Sequence, residues 1–121
     1  MKSLMMCYVK NSADALAFYQ TAFTCTLVEN HKNADGSCAW CELNLGGCHL
    51  VISEHVDGEK ISGNQQMFIL DFGKGNEGLV EKTYNVLKDG ASIIRDLGEG
   101  QFSSFHFKLV DKFGIFWCVY V

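Results

Sequence analysis

The order of structural elements repeats once along this 121-residue chain, and that repeat limits the fold more than any single motif. Leu4 to Val9 is apolar and strand-like. Asn11 or Ser12 then offers a cap for a helix with the apolar stripe Leu16, Tyr19 and Phe23. Three strands follow, at Thr24 to Asn30, Ser37 to Asn44 and Cys48 to Glu54, separated by a turn at Lys32 to Gly36 and by Gly46-Gly47. The polar stretch His55 to Gln65 has no periodicity, and after it the same order returns. Gln66 to Phe72 reads as a strand, and Asn76 as the cap of a helix carrying Leu79, Val80, Thr83, Val86 and Leu87. Gly90 stops that helix. Ser92 to Leu97, Phe102 to Val110 and Ile115 to Val121 are the closing strands. SCAWCEL (37–43) lies against SSFHFKL (103–109) in this alignment. The expected fold is α+β: two βαβββ modules, 1–56 and 65–121, with a linker at 57–64. A segment of about 60 residues buries little surface by itself, so the two are expected to form one domain.

Charge narrows the function classes. The formal net charge is -4 and no run of five or six like charges occurs, so nothing attracts a phosphate backbone or anionic lipid. EGQFSSFHF (99–107) carries an aromatic strand of the kind that binds RNA, but Glu99 stands where such a sheet is basic. No nucleic-acid partner is expected. KSLMMCYVK is too short to span a bilayer and lacks the flanks of a signal peptide, which points to a soluble cytoplasmic protein with no membrane partner.

The six cysteines, at 7, 25, 38, 41, 48 and 118, fall in apolar strand-like segments, as reduced core thiols do. Cys38 and Cys41 form a CxxC, yet residues three apart in a strand point to opposite faces, and no second CxxC or His pair completes a site. No zinc or redox role is expected.

Strand alternation selects the side chains left for binding. In SCAWCELN, Ala39, Cys41 and Leu43 make a helix-facing set, which turns Cys38, Trp40, Glu42 and Asn44 the other way. Phe105, Phe107 and Leu109 likewise oppose His106 and Lys108. On the last strand Phe116, Cys118 and Tyr120 oppose Ile115, Trp117 and Val119. The candidate ligand-binding residues are therefore Trp40, Glu42, His106, Lys108, Phe116, Cys118 and Tyr120. Against this, aromatics are ordinary core residues, and Glu42 and Lys108 could form a simple ion pair. His106 is the candidate general base, whereas His31, His49 and His55 are read as surface residues. Cys118 is read as a small residue of the binding face and not a nucleophile.

Four segments, VKNSADALAFYQTAF (9–23), GSCAWCELNLGG (36–47), LKDGASIIRDLG (87–98) and DKFGIFW (111–117), together resemble the vicinal oxygen chelate superfamily. That group includes glyoxalases, extradiol dioxygenases, fosfomycin-resistance thiol transferases and bleomycin-resistance proteins. Lys112 stands where the superfamily commonly has proline. The resemblance implies two modules curving into an open, cup-like barrel with the helices outside, and it implies a homodimer. Its enzymes hold a divalent metal on a first-strand His, a His or Gln opening the second module, and a last-strand Glu. Here those positions fall on Leu4, on Gln65 or Gln66, and on Cys118, so no metal cofactor is expected. The expected function is binding of a small organic molecule in an aromatic cup, with Gln65 added to its lining. The alternative is a metal-dependent lyase, isomerase or thiol transferase using Gln65, Glu42 and His106.

Overall fold

A computed structural model describes residues 2–55, 66–100 and 103–121. The chain divides into two compact units, Met1–Ser62 and Gly63–Val121. The proposed linker and Gln65 lie outside the described residues. The first unit contains β1 (Met5–Val9), α1 (Ser12–Ala22), β2 (Thr26–Lys32), β3 (Cys38–Asn44) and β4 (His49–Glu54). Its strands are ordered β1-β4-β3-β2, with β1 and β4 parallel and the remaining pairs antiparallel. The second contains β5 (Phe68–Asp71), α2 (Glu77–Leu87), β6 (Ser92–Gly98), β7 (His106–Val110) and β8 (Phe116–Tyr120). Its order is β5-β8-β7-β6, again with one parallel pair, β5 with β8. The α+β fold of two βαβββ modules is therefore as expected.

The repeat extends to a backbone irregularity. Against β3, β2 slips by one residue between Leu27 and Glu29; against β7, β6 slips by one between Ile93 and Arg95. Leu27 is thus opposite Leu43 and Glu29 opposite Glu42, while Ile93 is opposite Leu109 and Arg95 opposite Lys108. Each slip leaves one unpaired residue, Val28 or Ile94, as a β-bulge does.

Each sheet buries the face that its own helix covers. In the first module Cys7, Val9, Cys41, Leu43, Leu50 and Ile52 are buried, with Ala15, Leu16, Tyr19 and Ala22 of α1. In the second they are Leu70, Phe107, Leu109, Trp117 and Val119, with Val80, Thr83 and Leu87 of α2. The Tyr84 ring on α2 lies 5.2 Å from Phe107, which fixes the helix side of β7. Each Val, Leu, Ile and Phe side chain among them contributes roughly 1.5–3 kcal/mol by leaving water.

The helix starts differ from expectation. Asn11 adopts a left-handed conformation (φ 59°, ψ 50°) and its side chain makes no cap bond. The cap comes instead from β4: Glu54 accepts the Asn11 N–H at 3.2 Å, the Ser12 N–H at 3.0 Å and the Ser12 hydroxyl at 2.7 Å. A carboxylate supplied through the tertiary fold replaces the local cap because it meets two orphan amides and favours the helix dipole. Asn76 also fails to cap; its side-chain amide donates to the Phe72 carbonyl at 2.7 Å. The strand expected from Phe102 begins only at His106. Before it, the Ser103 hydroxyl donates to the Val121 carbonyl at 2.7 Å and accepts the Phe105 N–H at 3.1 Å, so the backbone turns.

Candidate functional site

On the helix-free face of the first sheet, Glu42 is the centre. It is only 6% exposed, between Glu29 on β2 and Val51 on β4. Its carboxylate accepts the Trp40 indole N–H at 3.1 Å and the His49 Nδ1–H at 2.7 Å, and Lys2 Nζ lies 3.9 Å away. The Trp40 hydrogen bond, followed by that of His49, holds the carboxyl below its usual 4.5. Trp40 keeps 37% of its surface exposed, so its ring is presented while its nitrogen is anchored. Glu29 has its own partner, His31 Nε2 at 2.9 Å.

The helix-free face of the second sheet carries the other candidates in adjacent register. One row crosses the sheet as Ile69, Cys118, Lys108 and Arg95; the next as Asp71, Tyr120, His106 and Gly98. Phe116 pairs with Val110 on the same face. Alternation thus placed His106, Lys108, Phe116, Cys118 and Tyr120 together, as expected, and Trp117 and Val119 opposite them in the core. Cys118 is 7% exposed, and burial raises its thiol pKa against the opposing pull of the Lys108 charge. It is held as a neutral thiol.

His106 is seated by two glycines. Its Nδ1 donates to the Gly98 carbonyl at 3.2 Å, which leaves Nε2 as the lone-pair nitrogen of the neutral ring. Gly100 lies close to the imidazole, where a Cβ would stand 1.9 Å from Cε1. No side chain fits there without moving the ring.

Three placements correct the sequence reading. Cys38 does not share a face with Trp40 and Glu42, because β3 slips against β2 between its pairs Trp40–His31 and Cys38–Lys32. The slip turns Cys38 to the helix side, where its N–H donates to the Ser12 hydroxyl at 2.8 Å and its thiol to the Ser12 carbonyl at 3.7 Å. Both thiols of the CxxC are thereby fully buried, and Cys41 is pushed up to about 12 by burial and then by Cys38. His49 is not a surface residue but the hydrogen-bond partner of Glu42, with a side chain 16% exposed. His55 is 7% exposed, and neither ring nitrogen has a hydrogen-bond partner among the described residues. His31 is on the surface as expected.

A depression of about 500 Å3 lies on the first module, lined by Lys2, Ser3, Leu4, Met5, Gly47, Cys48 and His49. None of the sequence candidates lines it. Arg95, Gly100 and His49 were missed by sequence reasoning; alternation would have selected Arg95 had the slip at Ile94 been visible.

The donor set differs from the one that the resemblance implies for a metal. Leu4 offers no lone pair, and the Cys118 thiol is kept protonated by burial. Gln65 lies outside the described residues, and Glu42 is committed to Trp40 and His49. Among the described residues no group of three or more His, Cys, Asp or Glu is arranged to hold a metal ion. These residues do not fit the usual ligand set.

Two βαβββ modules with this strand order are a fold that solved structures share. No protein-family model and no curated protein matches the sequence. Among solved structures, the chain is similar to the PhnB protein of Bacillus cereus (TM-score 0.80, 16% identity, covering 99% of this chain and 98% of that one). It is also similar to a glyoxalase/bleomycin resistance protein/dioxygenase family enzyme of Burkholderia phytofirmans PsJN (TM-score 0.71, 18% identity, 97% and 94% covered). A third is the fosfomycin resistance protein FosX of Listeria monocytogenes, in a complex with Mn(II) and 1S,2S-dihydroxypropylphosphonic acid (TM-score 0.67, 13% identity, 99% and 88% covered). No helix among the described residues is long and apolar enough to cross a membrane.

Proposed function

We propose that this protein binds a small organic molecule, without the metal site usual in enzymes of its fold. The observation that carries the reading is the second sheet's helix-free face, where Phe116, Cys118, Tyr120, His106 and Lys108 stand in adjacent register. Aromatic surface beside a few polar groups is what an organic ligand needs: stacking area for affinity and hydrogen bonds for orientation. Trp40, anchored through Glu42 with its ring exposed, supplies a second platform of the same kind. The chemistry of the donor set supports the metal-free reading, since a protonated thiol and a carboxylate already engaged are poor ligands. A cytoplasmic location and a homodimeric state belong to the same proposal.

A second reading is favoured by one observation, the geometry of His106. With Nδ1 tied to Gly98, its Nε2 is a positioned base, and proton abstraction beside a carbonyl would make the protein an enzyme. The experiment that tests the metal-free binder is elemental analysis after loading with nickel, zinc, manganese and iron in turn, paired with tryptophan fluorescence titrated with benzamide. The binder should retain no metal near stoichiometry and should show a fluorescence change that Trp40→Phe removes. Near-stoichiometric retention of one metal would overturn the proposal and revive the metal-dependent alternative.

A further inference from the structure

The two slipped strand pairs place like charges directly opposite each other, but only one of the two arrangements is compensated. In the first module Glu29 faces Glu42 across β2 and β3. Two facing carboxylates repel, yet each has a cationic or hydrogen-bonding partner: His31 for Glu29, and Trp40, His49 and Lys2 for Glu42. At the equivalent place in the second module Arg95 faces Lys108 across β6 and β7. Here no acid among the described residues of the same unit is ion-paired with them. The other members of their row are Cys118 and Ile69, which carry no negative charge. Asp96, next to Arg95 in sequence, turns to α2 and accepts the Tyr84 hydroxyl. Asp71, the acid of the neighbouring row, is two strands from β7 and accepts the Gly73 N–H at 2.8 Å.

We infer that the Arg95–Lys108 pair is an oxyanion site, taking the carboxylate or phosphate group of a small organic molecule. This rests on, and sharpens, the small-molecule reading above. A guanidinium offers a planar fork that matches two oxygens of such a group, and an ammonium beside it adds a compact charge. The remainder of the molecule lies over Cys118, Ile69 and Tyr120 on the same face. His106 Nε2, one row along β7, is within the same patch and available to a ligand hydroxyl or carbonyl-adjacent proton. The anion does for this sheet what His31, His49 and Lys2 do for the other.

The test compares sodium phosphate, sodium benzoate and neutral benzamide by calorimetry and by thermal melting, at constant ionic strength with chloride as control. Wild type should bind one of the two anions and melt at a higher temperature with it, and Arg95→Gln and Lys108→Gln should each weaken that binding at least tenfold. Phosphate alone would identify a phosphate ligand, and benzoate alone a carboxylate. Without anion, the two variants should melt no lower than wild type, since repulsion is relieved; a fall would show the charges to be partnered within the protein and would overturn the site. So would binding that survives both substitutions, or no binding of either anion. If benzamide still changes the fluorescence of Trp40 while both anions fail, the small-molecule reading stands and the oxyanion site is wrong.

Discussion

Asp111 Oδ2 accepts the indole N–H of Trp117 at 2.8 Å, with the indole fully buried. The other oxygen of the same carboxylate accepts the Phe113 N–H at 2.9 Å and the Ile115 N–H at 3.0 Å. One side chain thus closes the turn before β8 and satisfies the indole N–H of the largest fully buried side chain among the described residues, which is why Asp-x-Phe-Gly-x-x-Trp behaves as a unit. Asp111→Ala should cost about 2–4 kcal/mol, the sum of a lost turn and an unsatisfied buried donor. Denaturant unfolding measures it; a loss below about 0.5 kcal/mol, the size of an ordinary surface change, would show that the bonds contribute nothing net.

Gly100→Ala tests the seat of His106. A Cβ at 1.9 Å from the ring forces the imidazole out and breaks its bond to Gly98. The expected result is a fold of near-normal melting temperature whose His106 NMR signals and ligand affinity both change. Unchanged imidazole resonances would mean that the loop yields and the ring does not.

Glu54 links acid stability to a helix start. Hydrogen bonding, chiefly from the Ser12 N–H, lowers its folded pKa below 4.5. A carboxyl depressed by folding contributes stability that is complete above its unfolded value and is lost as pH falls through the folded one. Glu54→Gln should therefore flatten the stability profile below about pH 4.5, while Glu54→Ala removes the cap and costs ~1–2 kcal/mol at neutral pH. Chemical unfolding from pH 3 to pH 7, with both variants, would show an unaltered slope for Glu54→Gln if the assignment is wrong.

Thiol accessibility gives a direct check on the slipped β3. Cys48 is exposed and Cys25 half-buried, whereas Cys7, Cys38, Cys41 and Cys118 are buried. A native thiol titration should show Cys48 reacting first and Cys41 last, because burial keeps the Cys41 thiol protonated up to about 12. Mass spectrometry of the labelled protein identifies the order. Early labelling of Cys38 would place it on the helix-free face after all.

Much of this was legible because hydrophobic periodicity reports which face of a strand is buried. Phe107, Trp117 and Val119 against His106, Lys108 and Cys118 followed from alternation alone. What alternation could not report was where it breaks. The slip near Ala39 reversed Cys38, and the one at Ile94 hid Arg95 from its neighbour Lys108. Caps failed for a related reason: Glu54 is 42 residues from Ser12 in sequence, and only the parallel pairing of β1 with β4 brings it to the helix. His49 and Glu42, on adjacent strands of one hairpin, meet because Asn44 pairs with His49, a register that alternation within a single strand does not give.

The paired slips at Val28 and Ile94 have a consequence for tracing ancestry. Glu42 and Lys108, at equivalent places in the two halves, carry opposite charges, yet the backbone irregularity stands at the same step in both. An insertion in strand pairing is harder to erase than a side chain, because removing it would turn every following residue to the other face. Distant kin that no letter-by-letter comparison can reach should therefore still be found by the spacing of those two defects.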